Sequence, residues 1–141
     1  MFINNFDPVA LQILSFEIRW YSLAYIAGIV IGWLLCKIIF IKNLKLNEIF
    51  DDYITYLIIG IIIGGRFGYV VFYNFTYYIN NILDIFKIWE GGMSFHGGLI
   101  GVIISSIIFA KKHKQDPFLY MDLVSLVAPI GIFFGRLANF I

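Results

Sequence analysis

The sequence predicts an all-α, polytopic transmembrane helix bundle with about four spans and a glycine-rich, non-helical loop around His96. Three observations carry that prediction. The 141 residues are 61% hydrophobic and 13% charged, with a mean hydropathy of +0.89, whereas a soluble domain is roughly 45–50% apolar and about 25% charged. Several apolar runs approach the ~20 residues that a helix needs to cross a hydrocarbon core of about 30 Å. Within them glycines recur at four-residue spacing, which lets a second helix come close. A net charge of +1 gives no sign of a nucleic-acid partner. The whole chain, 1–141, reads as a single transmembrane domain.

Residues 1–19 read as an interfacial or periplasmic arm. They hold Asp7 and Glu17 and lack a basic leading segment, so a cleaved signal peptide is not expected. Trp20 to Ile41 is the first span. Tyr21, Tyr25, Gly28 and Gly32 share one of its faces, so both tyrosines are expected to look into protein. The lone cysteine, Cys36, excludes a disulfide within the chain and reads as a small core residue. Lys42 to Asp52 is polar and reads as a loop with a short amphipathic piece.

Tyr53 to Tyr73 is the second span. Gly60, Gly64 and Gly68 form a ridge along it, and Arg66 points roughly to the other side. The connection that follows is aromatic and amide-rich, with an interfacial helix expected near Ile82 to Ile88. Next comes WEGGMSFHGGLIG, Trp89 to Gly101. Gly91, Gly92, Gly97 and Gly98 lack a Cβ, so the backbone can take positive φ and approach another chain or a ligand. His96 is therefore expected on irregular backbone, which at membrane depth is tolerated where it lines a cavity or is buried in protein. The third span starts near Gly97 or Leu99, and Lys111, Lys112, His113 and Lys114 end it as a solvated charge run. Asp116 as N-cap and Pro117 in the first turn open the fourth span, which carries Asp122, Pro129, Gly131, Gly135, Arg136 and Asn139.

Lysines set the orientation. Lys37, Lys42 and Lys45 lie on the same side as Lys111, Lys112 and Lys114, while the opposite side has only Arg19 and Lys87. The positive-inside rule makes the lysine side cytoplasmic and the N-terminus external. Arg66, His96 and Arg136 then share the outer half of the membrane. Guanidinium groups at that depth suit a phosphate, since the planar fork pairs with two oxygens and keeps its charge. A phospholipid headgroup is the nearest source. A histidine beside it has the right ordinary pKa range to accept a proton from an incoming nucleophile. These residues alone also fit a small membrane lipid-binding or anion-transport protein, or a structural bundle in which the arginines are simply paired.

The strings RWYSL (Arg19 to Leu23), GGRFGYVVFYNF (Gly64 to Phe75), WEGGMSFHGGLIG and PIGIFFGRLANFI (Pro129 to Ile141) occur in an order that resembles the bacterial prolipoprotein diacylglyceryl transferases. The resemblance runs from Asp7 onward. It implies a multi-pass enzyme of the bacterial plasma (inner) membrane, with its site facing the periplasmic or outer side. Such an enzyme moves the diacylglyceryl group of phosphatidylglycerol onto the lipobox cysteine thiol of prolipoproteins, bound through their signal peptides, and needs no metal or organic cofactor. By motif match the catalytic candidates are His96, Arg136 and Tyr21. Arg66, Asn139, Gly97 and Gly98 are the substrate-binding candidates. Ser22 stands where the family usually has glycine. The chain ends inside the family's GRxxNFI signature, so it is expected to be the N-terminal portion of a longer family domain, and on its own an inactive fragment is the alternative to an active enzyme.

Overall fold

The computed structural model describes residues 9–13 and 16–140. Val9–Ile13 (β1) and Phe16–Arg19 (β2) pair as a short antiparallel ribbon, with Val9 opposite Arg19 and Ile13 opposite Phe16. Trp20–Leu35 (α1) follows directly and widens into a π-helical turn at Cys36–Phe40, closed by the Ile41 amide on the Cys36 carbonyl (2.8 Å). The remaining helices are Leu44–Phe72 (α2), Phe75–Asn80 (α3), Phe95–His113 (α4) and Pro117–Phe140 (α5). Two 3-10 turns, Ile82–Phe86 and Ile88–Glu90, link α3 to α4.

Four of the helical segments are long and apolar enough to cross a membrane: Ser22–Phe40, Leu44–Phe72, Phe95–His113 and Pro117–Ala138. At most 33% of any span's most apolar window is buried within the protein, so most of its apolar surface faces outward, as lipid requires. The polytopic all-α bundle is thus what the chain forms, with the β1–β2 ribbon added within the predicted arm.

Helix limits differ from the sequence reading in two places. The polar stretch expected as a loop is the beginning of α2. The Asn43 side chain accepts from the Lys45 amide (3.0 Å) and caps the helix, and Leu46, Phe50 and Tyr53, spaced four and three residues apart, bury one continuous face. At 29 residues, α2 is about 43 Å long and outreaches the hydrocarbon core. Likewise, the non-helical part of the glycine segment is Gly91 to Ser94 only, and α4 starts at Phe95. The interfacial helix expected near Ile82 to Ile88 is the pair of 3-10 turns. At the start of α5 the prediction holds: the Asp116 carboxylate accepts from the Phe118 amide (2.9 Å), with Pro117 as the first helical residue.

By its internal contacts the chain divides into two compact units, one of residues up to Asn47 together with Asp122 onward, the other of Glu48–Met121. In the first, α1 and α5 run antiparallel. A methyl on Gly28 would strike the Gly131 Cα, and one on Gly32 would press on Val127. Cys36 is buried there, its Sγ 3.8 Å from the Leu123 carbonyl oxygen. Tyr25, expected to look into protein, is 49% exposed. In the second unit α2 and α4 are antiparallel, with Gly60, Gly64 and Gly68 against Gly97 and Gly101 at backbone contact. Beyond that seam Tyr53 packs on Phe109 and Tyr120, with ring centroids 5.4 and 4.7 Å away, and shares a hydrogen bond with the Ser106 hydroxyl (2.9 Å). His113, read as part of a solvated charge run, stacks instead on Phe109 at 4.3 Å.

Candidate functional site

Arg66 leaves α2 two residues from Gly64 and Gly68, on the side away from the glycine seam, and is 5% exposed. Among the described residues its guanidinium hydrogen-bonds to backbone carbonyls alone. Nε donates to Ile85 (2.8 Å), Nη1 to Gly91 and to Gly92 (3.2 Å), and Nη2 to Asp84 (2.7 Å) and Lys87 (3.1 Å). A guanidinium has five N–H donors, and every one is used. The Tyr78 ring covers its face at 5.3 Å. Burying a charge costs several kcal/mol, while a hydrogen bond to a charged group contributes about 1.5–3 kcal/mol. Five of them offset that cost.

The glycine pair makes this geometry possible. Gly91 and Gly92 have φ of +84° and +82°, the left-handed side that residues with a Cβ avoid, and so both their carbonyls can turn toward Arg66. At Gly92 a methyl would also run into the Tyr69 ring. The Asp84 carboxylate is occupied elsewhere, by Lys87 Nζ (2.6 Å) and the Tyr77 hydroxyl (2.7 Å). Those two donors, the lysine first, hold its carboxyl below the ordinary aspartate value.

Two residues past the glycines, the Ser94 amide donates to the Gly65 carbonyl (2.9 Å), and its hydroxyl accepts from the Gly97 amide (3.2 Å), capping α4. His96 is thereby the second residue of a helix and is exposed at its first turn, with the Phe95 ring edge-on beside it (5.7 Å). The expectation of a histidine on irregular backbone is corrected: the Ser94 cap and the apolar run beyond it are strong enough to start the helix before the histidine. Gly97 is buried against Gly64 and Gly68, leaving no room for a ligand at its Cα, and Gly98 lies beside Ile61. The close approach of α2 accounts for glycine at 97, whereas at the half-buried Gly98, also predicted to approach substrate, a Cβ would meet nothing nearer than Ile61 at 3.9 Å.

In the other unit, Arg136 is exposed in the last turns of α5 and has no hydrogen-bond or ion-pair partner among the described residues. Gly135 before it is buried, with the Tyr25 hydroxyl 4.0 Å from where a Cβ would stand. Tyr21 belongs to the first turn of α1 and Asn139 to the end of α5, while their side chains lie outside the described residues. Among the described residues no three His, Cys, Asp or Glu side chains gather as a metal-binding group.

So the structure brings Arg66, the glycine pair and the helix turn carrying His96 into one connected backbone arrangement. Sequence reasoning missed the carbonyl cradle and the Ser94 cap. The signal available was the conjunction of an arginine inside an apolar run with a Gly-Gly pair after it.

Over residues 8–141 the chain matches the prolipoprotein diacylglyceryl transferase family. It is 48% identical over 137 residues to the phosphatidylglycerol–prolipoprotein diacylglyceryl transferase of Azospirillum brasilense, covering 96% of this chain and 51% of that protein. It is also 48% identical over 144 residues to the protein of the same name in Rickettsia typhi, covering 100% of this chain and 55% of the other. The chain spans about half the length of the curated relatives it matches. Because the match runs through all four spans, the glycine–histidine segment and the end of α5, the chain belongs to the prolipoprotein diacylglyceryl transferase family.

Proposed function

We propose that the complete protein transfers the diacylglyceryl group of phosphatidylglycerol to the lipobox cysteine thiol of prolipoproteins, at the outer face of a bacterial inner membrane, as the first step of lipoprotein maturation. The family match over residues 8–141 carries this reading. In the reaction the cysteine sulfur attacks the glyceryl carbon that bears the phosphate. A carbon–sulfur bond forms, the carbon–oxygen bond breaks, and glycerol phosphate leaves with the electron pair while the thiol proton passes to a base.

Two chemical demands follow. Negative charge grows on the departing phosphate, and a cation with donors to spare stabilises it most in the transition state. Arg136 is exposed with no donor engaged among the described residues, and it takes that role here, with Asn139 and Tyr21 as orienting hydrogen-bonders. The thiol must lose its proton, and His96, exposed on the first turn of α4, is the candidate acceptor. Gly97 and Gly98, in the same helix turn as His96, are the candidate substrate-binding glycines, and Gly97 also packs against α2.

Membranes holding the complete protein, given phosphatidylglycerol and a lipobox peptide, should add a diacylglyceryl mass to the peptide. His96→Ala or Arg136→Ala should lower the rate by about a hundredfold or more. Full activity in both variants would remove these site assignments, and anion flux without lipid turnover would remove the reaction.

A further inference from the structure

We infer that Arg66 is a positioning residue: it does not touch the lipid, but holds the path of residues 84–92 and so sets where α4 begins and where His96 is presented. The inference rests on the transferase reading for its consequence and on geometry for its substance.

A phosphate ligand needs at least two free N–H groups in the guanidinium fork, and all five on Arg66 already point at carbonyl oxygens. Binding a phosphate would take from these carbonyls the one side-chain donor described for them. Arg66 also has a long reach. The five acceptors belong to Asp84, Ile85, Lys87, Gly91 and Gly92, so one side chain gathers both 3-10 turns and the glycine pair onto α2. Such short turns contribute little order of their own.

The cradle is continuous with the α4 cap. One residue before Arg66, the Gly65 carbonyl receives the Ser94 amide, and Ser94 caps α4 two residues ahead of His96. The cradle and the cap thus fasten the segment to neighbouring positions of α2 at both ends. A lysine offers three donors from a single point and no planar fork, so it satisfies at most part of the cradle. Loss of the cradle frees residues 84–92 to take other paths, and a misplacement on the order of 1 Å at a reacting group can cost about a hundredfold in rate.

The test uses the complete enzyme in detergent or native membranes, with phosphatidylglycerol and a lipobox peptide as substrates. Arg66→Lys should lower kcat about tenfold to a hundredfold and leave KM for phosphatidylglycerol within about twofold. Amide hydrogen exchange should quicken across residues 84–94 and stay unchanged in α5. Gly92→Ala, which turns one carbonyl out of the cradle by another route, should reproduce both effects, and the double variant should be no slower than the worse single one. A phosphate contact would show the opposite: a raised KM with kcat retained in Arg66→Lys and exchange unchanged across 84–94. That result overturns the inference, as does a variant in which neither kinetics nor exchange moves. If the wild-type enzyme turns over no phosphatidylglycerol, the transferase reading fails, and quickened exchange across 84–94 still upholds the tether.

Discussion

Arg66 and Arg136 are the same side chain in opposite states. Around Arg66 every donor is satisfied by backbone, the group is 5% exposed, and the tyrosine ring of Tyr78 lies over it. At the end of α5, Arg136 is exposed and meets no partner among the described residues. An arginine in an apolar chain invites a functional reading because its charge is costly there. The comparison teaches that the cost alone does not separate roles. What separates them is whether donors remain: a saturated guanidinium is a structural fastener, and an unsaturated one is available to an anion.

The sharpest way to break this contrast is to remove each arginine in the complete protein and measure denaturation. Arg66→Ala removes five hydrogen bonds from part-buried carbonyls and empties the place of a buried side chain, which should cost about 2–4 kcal/mol. Arg136→Ala should change stability by no more than about 0.5 kcal/mol, as for an exposed side chain. Equal stability losses would erase the distinction.

A smaller effect sharpens the glycine part of the cradle. Gly91→Ala and Gly92→Ala both force a Cβ onto backbone of positive φ, at roughly 1–3 kcal/mol each. Gly92→Ala should be the worse of the two, because nothing lies within 4 Å of a methyl at Gly91 whereas the Tyr69 ring blocks one at Gly92. Identical melting shifts for the two variants would mean that backbone conformation alone matters at this turn.

The smallest effect concerns pH. The Lys87 ammonium and the Tyr77 hydroxyl hold the Asp84 carboxyl below its ordinary value, so the carboxylate contributes order above an unfolded pKa of about 3.9 and loses it as pH falls through the lower folded value. Exchange protection of the amides near Asp84 should therefore be flat from neutral pH to about pH 4 and decline below it. A decline centred near pH 6 would point to a different group. Asp84→Asn should flatten the acid limb.

Much of the bundle was legible before any coordinates. The apolar runs marked four spans, Asp116 and Pro117 marked a helix start, and the spacing of Gly60, Gly64 and Gly68 marked a close helix contact. These features are local, or periodic on a single helix, and periodicity is what a sequence displays. The start of α2 was hidden because charged residues between Lys45 and Asp52 masked the buried face of Leu46, Phe50 and Tyr53. The ribbon at Val9–Arg19 was hidden too, since a two-stranded pair is decided by register between segments more than by either segment's composition.

Membrane character, the four spans, the glycines at helix contacts and the family match are all written in the sequence. The surroundings of Arg66 and the helical place of His96 came with the fold. The partners of Arg66 are backbone carbonyls 18 to 26 residues along the chain, and every residue type carries a carbonyl, so no pattern of side chains records which of them will be turned inward. His96 sits on a helix because a serine cap and an amide–carbonyl bond to α2 start that helix early. That choice is made between segments, where periodicity has nothing to say.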